Sequence, residues 1–253
     1  MSRTPLVHVD QLLSGAEVDE ALPLPPSQRH HLTTVLRLRD GDAVEVTDGA
    51  GAHAAAELTA DGLRLRSAPT VTPPPVPALR VVHGLPKGRK LDEVVRVLVE
   101  LGVDEVQPVA ATRSVRRPEG ERASRAVERW EAVARSAGEQ ARRLHRARIQ
   151  PIVPSGQVEV RGLWLLAHPD ASWGLPDRLA TTSPDEVATT GGALTVAVGP
   201  EGGWDDDEVE QLVAAGAEPV HLGPTVLRTE HAAAAAVAVI AAWLGRWSHR
   251  ALR

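Results

Sequence analysis

The amino-acid sequence predicts an α/β protein built on a mainly parallel sheet and preceded by a smaller β-rich unit. Three observations predict it. Beyond residue 78, short apolar β-branched runs alternate with helical patterns, as in βα units that cover a parallel sheet on both faces. The first 70 residues instead offer short strands joined by tight turns. Between the two lies VTPPPVP, a stiff stretch prone to polyproline II. Domains are therefore expected at residues 1–70 and 78–253, with residues 71–77 as the linker.

Each element has a local reason. Val44-Glu45-Val46-Thr47, the turn Asp48-Gly49-Ala50-Gly51 and residues 54–58 read as strand, tight turn and strand, with a further short strand over 62–66. Upstream, apolar residues at 32, 35, 36 and 38 predict a short amphipathic turn of helix with Ser27 as its N-cap. In the second part, strands are expected at 79–83, 105–109, 163–167, 194–198 and 220–222. Helices are expected at 91–101, stopped by Gly102, and from 121 to about 144, with Ala126, Val127, Trp130, Val133, Ala134 and Ala137 on the buried side. Two more follow at 205–215, whose acidic first turn suits the helix dipole, and at 229–244, rich in alanine.

Composition narrows the class. Of 253 residues, 43% are apolar and 24% charged, the balance of a water-soluble globular chain. No apolar run approaches the roughly 20 residues that span a bilayer, and the N-terminus has no signal-peptide core. A cytoplasmic protein without a membrane partner is expected. Cysteine is absent, which excludes disulfides and thiolate metal sites. The net charge of −5 conceals an asymmetry: residues 113–148 hold eleven Arg against five Glu, and residues 201–210 hold six acidic residues and no basic one. Such local fields, more than net charge, steer a polyanion.

The chemistry concentrates in residues 194–240. Two glycine-proline turns, Val198-Gly199-Pro200-Glu201-Gly202-Gly203 and Leu222-Gly223-Pro224-Thr225-Val226-Leu227-Arg228, each follow an apolar run. Open α/β sheets bind ligands where strands hand over to loops at their carboxyl ends, so two such loops point to one pocket. Glycine lets backbone approach a ligand, and proline stiffens the loop. Other constellations fail: the histidines lack a metal-ligand spacing, and the glycine loop lacks both the Lys-Ser/Thr of a P-loop and G-x-G-x-x-G. No Ser-His-Asp set has motif support.

Together these two turns, Arg228-Thr229-Glu230 and the alanine-rich helix after them resemble the SPOUT class of methyltransferases, and within it the ribosomal RNA small subunit methyltransferase E family. Leu85-Pro86-Lys87-Gly88, Glu100-Leu101-Gly102-Val103, Thr112-Arg113-Ser114-Val115, Glu139-Gln140-Ala141-Arg142-Arg143 and His168-Pro169 extend the resemblance in order, and His31-Leu32 through Leu38 with Gly41-Asp42 resembles the family's start. The resemblance implies a PUA-like β-barrel for RNA binding, then a SPOUT domain whose C-terminal segment forms a deep trefoil knot. It further implies a homodimer that takes methyl from S-adenosyl-L-methionine and modifies N3 of a uridine in 16S rRNA or the small ribosomal subunit.

Carried onto this chain, the resemblance implies cofactor contacts from Leu166, His168, Pro169, Gly199, Pro200, Glu201, Gly202, Gly203, Leu222, Gly223, Pro224 and Leu227. Arg228, Lys87 and Arg113 are the candidates for stabilising the developing uracil anion, with no general base assigned. His30, Arg37, Glu139, Gln140, Arg142 and Arg143 are the candidates for holding RNA, and no metal is implied. The chain departs from the family's pattern at His231, Ala167, Arg96-Val97 and the stretch 143–149. A SPOUT enzyme for another RNA site, including a ribose 2′-hydroxyl, and a non-catalytic ribosome-assembly protein stand as alternatives.

Overall fold

The computed structural model describes residues 4–115 and 117–248. It divides into two compact units, one of residues 1–74 with Gly138–Arg146 and one of Pro75–Ala137 with residues 147–253. The sequence pattern does not announce that the segment Gly138–Arg146 folds with the first unit.

The first unit is a six-stranded sheet. Its elements are β1 (Leu6–His8), β2 (Ala21–Pro23), α1 (Pro26–His30), β3 (Ala43–Thr47), β4 (Ala52–Thr59), β5 (Gly62–Leu65) and β6 (Thr70–Val71). The strands run in the order β1-β3-β4-β5-β2, with β6 also on β4, and only the β1–β3 pair is parallel. The expected hairpin is β3–β4, where Asp48 Oδ1 accepts the N–H groups of Ala50 and Ala52 and closes the turn. Period-two alternation puts Val44, Val46, Ala52, Ala54, Ala56 and Leu58 inward, against Leu13, Leu22, Leu63 and Leu65.

The helix ahead of the hairpin differs from expectation. Ser27 lies inside α1, which starts after Pro25 with proline at its first position and no side-chain cap. The chain then widens into a π-helical turn over His31–Val35 and stops where Arg37 adopts a left-handed conformation, so Leu32 alone of that turn is buried. A widened turn shifts the spacing of side chains, which leaves Val35 and Leu36 exposed rather than on an apolar stripe.

The second unit holds β7 (Ala78–Gly84), α2 (Lys90–Glu100), β8 (Glu105–Ala110), α3 (Glu121–Gln140), β9 (Arg148–Ile149), β10 (Val153–Pro154), β11 (Leu163–Ala167), α4 (Leu175–Ala180), α5 (Pro184–Thr189), β12 (Ala193–Val198), α6 (Asp206–Ala214), β13 (Glu218–Val220) and α7 (Thr229–Trp243). The last turn of α3 belongs to the first unit. The strands form one sheet in the order β10-β8-β7-β12-β11-β13, with β9 also on β8, and every pairing is parallel.

Alternate residues of the central strands feed two cores. Leu79 and Val81 of β7 and Leu194, Val196 and Val198 of β12 pack with Leu98 and Val99 of α2 and Val237 and Ile240 of α7. Val82 and Ala197 face the other way, with Trp164, Leu166, Trp204 and Leu212 of α6. Strands covered on both faces are apolar throughout, which is why they read as continuous runs.

Two boundaries are corrected. The expected strand at 220–222 is β13, Glu218–Val220, because His221 leaves the sheet to pair its N–H with Trp173 and its carbonyl with Leu175. The expected helix to about 144 ends at Gln140: Arg142 turns left-handed at φ +58°, its N–H donates to Glu139 O, and Arg143 N–H donates to Gly138 O. That is a Schellman closure with arginine where glycine is usual.

Candidate active site

The loops after three neighbouring strands, β12, β11 and β13, converge on a cleft of about 1160 Å³ at the carboxyl ends of the parallel sheet. Residues 199–203 form one wall and residues 221–228 another, with His168, Pro169 and Asp170 between them. Backbone bonds hold these loops to the sheet: His168 N–H donates to Val220 O at 3.0 Å, and Gly203 N–H donates to Pro200 O at 2.9 Å. The first glycine-proline turn is tied to the start of α7, directly after the second, because the buried Thr229 hydroxyl donates to the Gly199 carbonyl. Behind the first turn, the end of β7 packs so closely that a Cβ on Gly84 would stand 2.4 Å from Pro200 Cδ.

Charged groups finish the walls. Lys90, the first residue of α2, places its ammonium 3.2 Å from Glu201 and 3.2 Å from Glu230. Both Glu201 oxygens also accept the Lys87 backbone N–H at 3.1 Å. Burial raises the Glu201 carboxyl, but its own N–H, that of Lys87 and the Lys90 ammonium outweigh burial and hold it below the usual range. Glu230 is lowered by its own backbone N–H and by Lys90, and the two carboxylates in turn raise Lys90. Arg113 donates to Gly202 O at 3.2 Å and lies 3.7 Å from Asp205, the N-cap of α6. Below the cleft, His83 is fully buried with Nδ1 2.7 Å from Gly84 O, and burial lowers its pKa against the pull of nearby backbone and of Glu201 and Glu230.

Most of the expected cofactor and catalytic residues meet here. His168, Pro169, Gly199 through Gly203, Leu222, Gly223, Pro224, Leu227, Arg113 and Arg228 all line the cleft. Arg228 caps α7 through its backbone, so its exposed guanidinium is left without a hydrogen bond or ion pair among the described residues. Two expected residues are absent from the cleft lining. Leu166 has its side chain fully buried in the sheet's second core, which leaves only its backbone for a ligand. Lys87 does not line the cleft and contributes its backbone N–H, while Lys90, three residues on and the first residue of α2, supplies the ammonium.

The expected RNA-holding residues belong to the first unit. His30, Arg37 and Gln140 are exposed there. Glu139 instead accepts the His8 N–H at 3.0 Å, the Arg142 guanidinium is engaged by Glu45 and the Thr4 carbonyl, and the Arg143 carbonyl lies 2.8 Å from His8 Nε2. For Glu139 and Arg142 these partners are structural.

Sequence reasoning missed Lys90, Trp204, His221 and Thr229 on or beside the cleft. The signals were present: Lys90 is one of only two lysines in the chain, Trp204 directly follows the first glycine loop, and Thr229 belongs to the Arg228-Thr229-Glu230 motif. Among the described residues no cluster of metal-ligating side chains occurs, and no helix is long and apolar enough to cross a membrane.

A parallel sheet with a paired-loop cleft at its carboxyl edge, joined to a small sheet unit, defines an RNA methyltransferase: the family model described as RNA methyltransferase domain matches residues 72–241, and that described as RNA methyltransferase PUA domain matches residues 24–64. A ribosomal RNA small subunit methyltransferase E from Mycobacterium bovis is 34% identical over 221 residues, covering 86% of this chain and 84% of the relative. One from Synechocystis is 31% identical, covering 90% of this chain and 75% of the relative. The crystal structure of a ribosomal RNA small subunit methyltransferase E from Neisseria gonorrhoeae bound to S-adenosyl methionine is 27% identical, with a TM-score of 0.80 over 95% of this chain and 98% of that one. The chain belongs to the ribosomal RNA small subunit methyltransferase E family.

Proposed function

We propose that the chain is an S-adenosylmethionine-dependent methyltransferase acting on N3 of a uridine in 16S ribosomal RNA. The observation that carries this reading is the single cleft on which both glycine-proline loops, the Lys90 clasp and the exposed Arg228 converge. The relatives' names and the S-adenosyl methionine in the Neisseria structure support it.

The residues fit such a cofactor. The cleft is large enough for a nucleoside joined to an amino acid, and its walls are mostly loop backbone. Trp204 lines it too, although its Nε1 is buried and has no hydrogen-bond partner among the described residues. Residues 199–203 and 222–227, with His168 and Pro169, are assigned to holding it. When bound, S-adenosylmethionine supplies an electrophilic methyl group.

The protein's task is then at the uracil. N3 carries a proton and becomes nucleophilic only as that proton leaves and negative charge spreads to the flanking oxygens. Arg228, without a hydrogen bond or ion pair among the described residues, is assigned to stabilise that charge, and Arg113 supports the same wall through Gly202. Glu201 and Glu230 are held ionised by Lys90 and backbone donors, which makes them weak proton acceptors. Stabilising the anion is the role assigned to Arg228, with no residue assigned as general base and the N3 proton passing to solvent. Exposed His30, Arg37 and Gln140 of the first unit are assigned to RNA. The same reading includes a homodimer, a knotted C-terminal segment and action in the cytoplasm.

Nucleoside mass spectrometry of 16S rRNA from cells lacking the protein tests it. Loss of 3-methyluridine at one position is expected. Undiminished 3-methyluridine, or loss of a ribose 2′-O-methyl instead, overturns the N3 assignment.

A further inference from the structure

Lys90 stands apart from the other charged residues on the cleft. It comes from α2, on a different part of the chain from the two glycine-proline turns, yet it meets a carboxylate from each: Glu201 in the first turn and Glu230 in the opening turn of α7, which directly follows the second. Without a cation, two carboxylates facing one cleft repel each other. With Lys90 between them they become attachment points. Glu201 is anchored independently by the Lys87 N–H, and Thr229, beside Glu230, is tied to Gly199. The ammonium is thus the side-chain link that spans from α2 to both loops.

We propose that Lys90 is a positioning residue that latches the two glycine-proline walls together, so that cofactor binding depends on an ammonium that need not touch the cofactor. This rests on the S-adenosylmethionine reading of the cleft. The side chains are 41%, 25% and 20% exposed for Lys90, Glu201 and Glu230, so solvent screens each pair and the effect is moderate. Both contacts must act together to matter, because each alone leaves the other carboxylate repelled.

The test is calorimetric titration of S-adenosylmethionine into the unaltered chain, Lys90→Met, Lys90→Arg, Glu230→Gln and the Lys90→Met/Glu230→Gln pair. Lys90→Met is expected to weaken binding roughly three- to tenfold, and Lys90→Arg to restore most of it. In turnover assays the cofactor KM rises while kcat at saturation stays within about twofold, since the latch role gives Lys90 no part in the methyl transfer itself. The double variant binds no worse than Lys90→Met, because the latch is already open. Unchanged affinity in Lys90→Met, or losses that multiply in the double variant, overturns the latch. If Lys90→Met fails to fold, a Glu230→Gln variant with unaltered cofactor affinity overturns it equally. Absence of binding by the unaltered chain instead refutes the cofactor reading on which the latch rests.

Discussion

Replacing Gly84 by alanine tests whether the end of β7 braces the first wall of the cleft. The backbone at Gly84 is ordinary strand, paired with Val109, so an alanine there meets no conformational penalty. The added methyl would lie 2.4 Å from Pro200 Cδ, 2.5 Å from Pro200 N and 3.0 Å from Gly199 C. These are ring and backbone atoms, and no rotamer change relieves them. Ordinary contact therefore requires the loop to retreat by roughly 1 Å, an overpacking cost of about 1–3 kcal/mol. For a unit of this size that lowers the melting temperature by roughly 2–4 °C per kcal/mol. Because the displaced segment is itself a cleft wall, each 1.4 kcal/mol expressed at the site weakens S-adenosylmethionine binding about tenfold. Differential scanning calorimetry and titration calorimetry on the same variant read both effects. A Gly84→Ala chain with unaltered melting and unaltered affinity refutes the bracing.

Arg228→Ala is expected to melt like the unaltered chain, since Arg228 caps α7 by backbone alone, while methyl transfer falls about 10²- to 10³-fold; full activity overturns its role. At the end of α3, Arg142→Gly removes a strained left-handed residue and Arg142→Ala does not, although both lose the Glu45 contact, so urea unfolding should place the glycine variant about 1 kcal/mol above the alanine one. His83 gives a pH dependence. Its pKa is lowered by burial, so below the unfolded value of about 6.5 the unfolded chain takes up a proton that the folded chain refuses. Stability contributed by neutral His83 is present above that pH and declines as pH falls beneath it, by up to about 1.4 kcal/mol per pH unit. His83→Gln should flatten that slope in denaturant titrations between pH 5 and 7, and an unchanged slope contradicts the assignment.

Much of this protein was determined by local sequence. The strand at 163–167 was read residue for residue, and 194–198 and 79–83 to within one residue at each end, because strands buried on both faces must be continuously apolar. The helix of α6 was legible from Asp205, whose side chain and Glu208 form a capping box that the acidic run spells out. The two glycine-proline turns named the cleft because glycine and proline limit what a backbone can do whatever surrounds it. Tertiary structure decided the rest, where a choice depended on partners distant in the chain. Which of the two cores Leu166 meets was settled by the placement of β11 in the sheet. Pairing with His8, Thr4 and Glu45, more than ninety residues away, made Glu139 and Arg142 structural. The choice between Lys87 and Lys90 rested on which side chain the start of α2 delivers to Glu201 and Glu230, a geometry that spacing alone does not contain.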